Sequence, residues 1–388
     1  MEKLKSRERV AIALDHKEAD RIPLDIGEGR QTSIYPDPYI KASKLLGLSE
    51  PKIVTSSRGV IDNFDEHFLV AFGIDFRRVS LRDVPEDHVS EPGGMVRDQW
   101  GIGWKKIGHF WSPVEQPLKD ATLDDLKRYP WPEPEDDRRL KGLKEEAEYK
   151  WKNTEYAMVA KQPSHVYGTL TQSIYLRGME NFFIDLAINK AFAMELIDKV
   201  GEYHIKLYER YLEEVGEFVQ IVHTAADLGT QTGPYFSLDM YREMIKPMDK
   251  KFFKAIKNKT EAKILFHSDG AITAFIDDLI EIGVDILNPI QPSKEMDPSV
   301  LKSTFGNRLS FHGGIDQHRI LPQGTEDEVE EEVKKRIQEL APGGGYILAA
   351  AQTIMPEVPG ENVVRMFRAA EEYGKYPIPF AGIGTGLD

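Results

Sequence analysis

Residues 263–270, Lys-Ile-Leu-Phe-His-Ser-Asp-Gly, constrain this chain more than any other stretch. Three apolar residues in a row, followed by turn residues, read as a short strand buried on both faces, the pattern of parallel sheets in α/β folds. His267 and Asp269 stand where that strand runs out. A strand repeats every two residues, so both side chains share one face. In parallel sheets and barrels the C-terminal strand ends face the ligand, and a His-x-Asp pair there serves a proton or a divalent metal. The plain structural alternative is a histidine satisfied by a local aspartate that caps a helix starting at Ala271.

Candidate strands recur at 21–26, 75–80, 156–160, 218–222, 285–287, 309–311 and 346–349, with helical spacing or loops between them. With 264–266 they number eight, the count that closes a barrel of parallel strands joined by right-handed crossovers. The expected fold is therefore α/β, a (β/α)8 TIM barrel, with residues 1–388 as a single domain. A helix capped by Ser6 should open the chain over 6–16. Between 83 and 117 the pattern changes to a glycine-broken alternation that includes Trp104, Phe110 and Trp111. That segment reads as an antiparallel hairpin excursion near the barrel mouth, and its aromatic residues, Trp104 among them, would close over a substrate. The Pro-interrupted, charged stretch over 122–148 reads as solvated surface.

Composition narrows the chemistry. A net charge of -14 disfavours nucleic acid and anionic membrane as partners. The chain has no cysteine, so thiolate ligands, Fe–S clusters and a cysteine nucleophile are excluded, and any metal must take His, carboxylate, amide or water. No apolar run approaches the ~20 residues that span a bilayer, and the N-terminal residues lack the apolar core of a signal peptide, so a cytoplasmic protein is expected.

The strand ends are consistently polar. The first run ends at Glu28 and Arg30, the third near Gln162, Ser164 and His165, and the fourth at His223, Asp227 and Gln231. The last three end at Asn288 and Gln291, at His312, Asp316 and Gln317, and at Gln352 and Thr353. In a barrel these would converge on one mouth. A metal could take His267 and Asp269 together with a third N or O ligand such as His223, Asp227 or Gln352. Without sulfur, a zinc held this way would be comparatively hard and acidic, suited to polarising oxygen.

Several segments then become recognisable. Asp227-Leu-Gly-Thr-Gln-Thr-Gly233, His267-Ser-Asp-Gly270, Ile286-Leu-Asn-Pro-Ile-Gln-Pro292, His312-Gly-Gly-Ile-Asp316 and Pro342-Gly-Gly-Gly-Tyr346 carry the resemblance. The chain resembles the uroporphyrinogen decarboxylase superfamily, which includes corrinoid-dependent methyltransferases. The resemblance covers nearly the whole chain, is densest after Val222, and implies a (β/α)8 barrel.

Departures from the family patterns direct the functional expectation. Uroporphyrinogen decarboxylases carry an N-terminal Arg-Gln-Ala-Gly-Arg turn that grips a substrate with eight carboxylates. The corresponding stretch here is Ile26-Gly-Glu-Gly-Arg30, so one arginine is gone and Glu28 has entered. Their histidine after the eighth strand is matched by Gln352. Methyltransferases of the coenzyme M type have His-x-Cys after strand five and another cysteine after strand eight. Here His267 is kept, and Asp269 and Gln352 replace the thiolates. The remaining likeness is to O-demethylating methyltransferases. It implies transfer of a methyl group from a small donor, a methoxylated aromatic above all, to the cobalt of a corrinoid (cobalamin) carried by a separate protein. His267 and Asp269 would bind zinc, with Asp227 or His223 as third ligand. Asp227, His223 and Gln352 would be the catalytic set, and Arg30, Glu28, Asp75, His312 and Trp104 would line the substrate pocket. The alternative is a metal-free decarboxylase acting on uroporphyrinogen or a smaller acid, with Asp75 or Asp227 stabilising a cationic intermediate and Arg30 and Arg77 holding carboxylates.

Overall fold

A computed structural model describes residues 4–27, 29, 31–56, 59–84, 87–163 and 167–378. Among the described residues, thirteen strands are numbered in chain order. The first six are β1 (Phe76–Val79), β2 (His88–Glu91), β3 (Met95–Asp98), β4 (Gly103–Ile107), β5 (Phe110–Glu115) and β6 (Ala157–Ala160). Then come β7 (Ile221–Ala225), β8 (Gly229–Thr230), β9 (Gly233–Pro234), β10 (Lys263–His267), β11 (Ile286–Asn288), β12 (Ser310–Ile315) and β13 (Tyr346–Ala350). The chain packs as two compact units, each discontinuous in sequence.

The first unit comprises 1–78, 153–159 and 285–388. Its strands β11, β12 and β13 pair in parallel, with Ile286 beside Ser310 and His312 beside Ile347. The run expected as the first strand, 21–26, is not a regular strand. Leu24 nevertheless makes a parallel bridge to Leu348 of β13, and its carbonyl accepts from the Asp75 N–H just before β1. Pro23 lacks an N–H and can only accept, which it does from Leu348, so the run holds a strand's place without a strand's full ladder. Among the described residues, the expectation of eight strands is corrected to seven regular principal strands, five in this unit and two in the other, plus this bridged segment. The helices Glu326–Leu340 and Gly360–Tyr373 cover the unit with faces carrying Val333, Ile337, Val363 and Phe367, all buried. The opening helix spans Ser6–Leu14 with Lys5, not Ser6, at its cap, and the Glu8 carboxylate accepts from the Lys5 N–H.

The second unit comprises 79–152 and 160–284. Here β7 and β10 pair in parallel, with His267 beside Ala225 and Leu265 beside His223. The excursion expected over 83–117 is a four-stranded antiparallel sheet, β2-β3-β4-β5, larger than a hairpin. The long helix Lys190–Val215 packs against Lys246–Lys257. Gly201 permits that approach, since a Cβ there would lie 2.3 Å from the sulfur of Met248. Among the described residues no helix is long and apolar enough to cross a membrane.

This packing also buries an acid. Asp249, in the helix Lys246–Lys257, accepts from the Tyr241 hydroxyl at 3.2 Å, and burial pushes its carboxyl up to about 7. The folded chain therefore holds a proton that the unfolded chain releases near pH 4. The stability so gained is fully present below that value and is lost as pH rises through about 7. The urea midpoint of Asp249→Asn should accordingly fall less than that of the parent between pH 5 and pH 8. Identical pH slopes would show that Asp249 is not the group responsible.

Candidate metal centre

The centre is built by the two parallel strands of the second unit. Register partners on β7 and β10 point to the same side, so His223, Ala225, Leu265 and His267 share one face. Phe266 points the other way, into the helix layer, with its ring 5.8 Å from that of Phe253. The strand repeat continued two residues past each end delivers an acid: Asp227 after Ala225, and Asp269 after His267.

One ligand atom from each of Asp227, His267 and Asp269 lies within 4.8 Å of the other two, and no other group of this kind occurs among the described residues. His267 Nε2 is 3.7 Å from the Asp269 carboxylate and 4.0 Å from that of Asp227. These separations exceed direct hydrogen bonds. They approach the spacing of roughly 3.4 Å expected between ligands around a tetrahedral ion with bonds of about 2.1 Å. The imidazole is almost fully buried, while the carboxylates are 38% and 34% exposed, so the group opens on one side. One nitrogen and two carboxylates suit zinc or another hard divalent ion.

The surrounding backbone fixes this geometry. Asp269 N–H donates to the Asp227 carboxylate at 3.1 Å, tying one strand end to the other. Asp227 N–H donates to the Thr171 hydroxyl, and Leu228 N–H to the Ser268 hydroxyl at 3.0 Å. Gly270, at φ +93°, lets the turn pass under Thr230, whose carbonyl would be 2.5 Å from any Cβ there. Beside Thr171, one turn on along the helix Thr169–Arg177, stands Tyr175. Its ring meets those of Tyr167 and Trp104 at 5.2 Å, and Trp104 lies 5.5 Å from Tyr167.

The residues expected from sequence are divided between the two units. His267, Asp269 and Asp227 come together. Strand β7 begins three residues later than the apolar run suggested, because the Phe218 N–H closes a turn onto Val215, and His223 therefore lies within the strand. Its ring centre is 6.5 Å from that of His267, and its carbonyl accepts from the Tyr208 hydroxyl. Trp104 joins the aromatic cluster with its indole N–H donating to Asp98. In the first unit, His312 Nε2 lies 3.2 Å from Asp25 and its Nδ1 2.8 Å from the Asn288 amide. Gln352 accepts from the Thr353 N–H. Asp75 requires correction as a substrate contact. It is fully buried, paired with Arg9 at 2.7 Å and Arg21 at 2.8 Å, and accepts from the Leu24 N–H. Glu28, Arg30, Ser164 and His165 lie outside the described residues. Sequence reasoning missed Thr171, Tyr167 and Tyr175, which no spacing rule marks. It also missed Ser268, whose place between two same-face residues does assign it to the opposite face.

Residues 112–373 match the family model described as uroporphyrinogen decarboxylase (URO-D). The chain belongs to the uroporphyrinogen decarboxylase family. Among solved structures, a methyltransferase from Methanosarcina mazei is similar over 96% of this chain and 99% of its own, with a TM-score of 0.61 at 17% identity, which establishes a shared fold. A β-glycosidase from Thermosphaera aggregans is similar over 94% of this family member and 98% of its own chain (TM-score 0.42, 12% identity). For a xylanase from Thermotoga maritima the shares are 67% and 85% (TM-score 0.37, 11% identity). No curated protein matches the sequence.

Proposed function

We propose that the protein moves a methyl group from a small methylated donor, above all a methoxylated aromatic, to the cobalt of a corrinoid carried by a separate protein. The observation that carries this reading is the Asp227–His267–Asp269 group, an all-nitrogen-and-oxygen donor set at the ends of two parallel strands. These three residues would hold zinc, which when bound would polarise the donor's ether oxygen as a Lewis acid. An ether methyl is a poor electrophile without such help.

The chain's own residues supply the rest. Thr171 and Ser268 fix the backbone of Asp227 and Leu228, so the carboxylate is positioned before any ligand arrives. Tyr167 and Tyr175, half-buried beside Trp104, offer ring surface on which an aromatic donor would stack.

The family match itself favours a second reading, a carboxy-lyase that uses no metal. Two of the four residues named for it have other partners: Asp75 is enclosed by Arg9 and Arg21, and Arg77 pairs with Glu66 at 2.6 Å. The test is spectroscopic. Zinc-loaded protein is mixed with cob(I)alamin and a panel of methoxylated aromatics and methylamines, and methylcobalamin is followed by its absorbance. Formation with at least one methoxy aromatic is expected. Failure with every donor, by protein whose zinc content is confirmed, would refute the reading.

A further inference from the structure

The helix Met179–Ile188 and the start of the helix Lys190–Val215 meet at a corner on the surface of the second unit. Asn189 makes the corner: its N–H donates to the Asp185 carbonyl and ends the first helix, while its carbonyl accepts from the Phe192 and Ala193 N–H groups and begins the next. The inward faces are core, with Phe182, Leu186, Phe192 and Leu196 all buried. The outward face is apolar as well. Ile184 is 46% exposed, Ile188 81% and Met194 41%, and Ala187 and Ala191 between them are also exposed. Spacings of three and four residues set Ile184 beside Ala187 and Ile188 on the first helix, and Ala191 and Met194 continue the surface on the second. Lys190, the cation of the corner, pairs with Glu243 at 2.7 Å, and Glu180 and Glu195 stand at the two ends. A helix that is apolar all round belongs in a place where both faces are covered. Together these five side chains offer roughly 400 Å² of apolar surface, the size that marks an interaction site.

We propose that a second copy of this chain covers the corner, through a two-fold contact in which Ile188 of each copy packs against Ala187 and Ala191 of the other. A two-fold contact joins one surface to itself, and a large side chain flanked by two small ones is complementary to its own copy. Charge favours this face. At a net charge of -14 two copies repel wherever their acids meet, and here they join without burying an unpaired charge. An apolar centre of roughly 400 Å² with a polar rim of similar extent reaches the about 800 Å² per partner of a stable complex. A membrane surface suits the corner less, because an interfacial helix carries several Lys and Arg on its polar face and the chain as a whole is acidic. A corrinoid protein suits it less too. It would arrive and leave with every methyl group, and transient contacts of that kind are small and polar, whereas this surface needs lasting cover.

Sedimentation velocity of the full chain across the micromolar range tests this, whatever the chemistry of the metal centre. The parent should sediment at twice the mass of one chain, and Ile188→Glu at the mass of one chain with the circular dichroism of the parent. The side chain replaced is mostly in solvent, so the fold of each copy does not depend on it. Ile184→Glu, one turn earlier, should give the same loss of the dimer, and Ile188→Leu, which keeps the apolar side chain, should stay dimeric. A parent that is monomeric throughout would overturn the proposal, and binding of that monomer to phosphatidylcholine vesicles would give the face to a membrane instead. Either glutamate variant found folded and still dimeric would overturn it equally, by placing the contact elsewhere.

Discussion

His267→Ala is expected to lose zinc and methyl transfer together while the protein stays folded. His267 is the only nitrogen ligand in the group, and without it two carboxylates must hold a divalent ion from one side. Lewis-acid polarisation is worth several kcal/mol of transition-state stabilisation, and each 1.4 kcal/mol is a factor of ten, so activity should drop by about 10³-fold. The backbone pairing of β10 with β7 does not involve the imidazole, so the unfolding midpoint should move little. Zinc per chain measured by mass spectrometry, alongside the rate of methylcobalamin formation, decides the matter. Full zinc and full activity in the variant would remove His267 from the centre.

Asp75→Ala is expected to unfold the protein far more readily. The carboxylate neutralises two arginines, of which Arg9 is almost entirely buried, and also satisfies the Leu24 N–H. Arg9 keeps its pair with Asp20 at 2.6 Å, but Arg21 loses its carboxylate and the buried Leu24 N–H its acceptor, at a cost of about 1–3 kcal/mol. Denaturant midpoints at pH 7 measure this. The opposite outcome, an unchanged midpoint with activity lost, would restore Asp75 to the substrate pocket where the sequence alone suggests it.

That contrast shows why the site was only partly legible. His267 and Asp269 can be read from spacing, because a two-residue repeat at the end of an apolar run puts both side chains on one face. Asp227 is one of three candidates for third ligand, since the strand before it can be placed from sequence only to within a few residues. The pairing of Asp75 is not legible, because a charged residue beside a strand looks the same whether it meets solvent or two distant arginines. Arg9 and Arg21 lie 66 and 54 residues away along the chain, and no local pattern reports such a pairing. The principal strands were legible for the opposite reason. Except for Phe76–Val79, which carries Arg77 and Arg78, each is an apolar run with turn residues after it, and only 21–26, where Pro23 interrupts the ladder, departs from a regular strand.

The central claim is methyl transfer by an oxygen- and nitrogen-ligated centre, and isotope labelling tests it most directly. Zinc-loaded protein is incubated with cob(I)alamin and a methoxy aromatic carrying a ¹³C-methyl group, and in parallel with uroporphyrinogen. Magnetic resonance is expected to find the label on cobalt, in a one-to-one ratio with the free phenol, and no coproporphyrinogen in the parallel reaction. Coproporphyrinogen formed at an enzymatic rate, with the label still on the ether, would contradict the account.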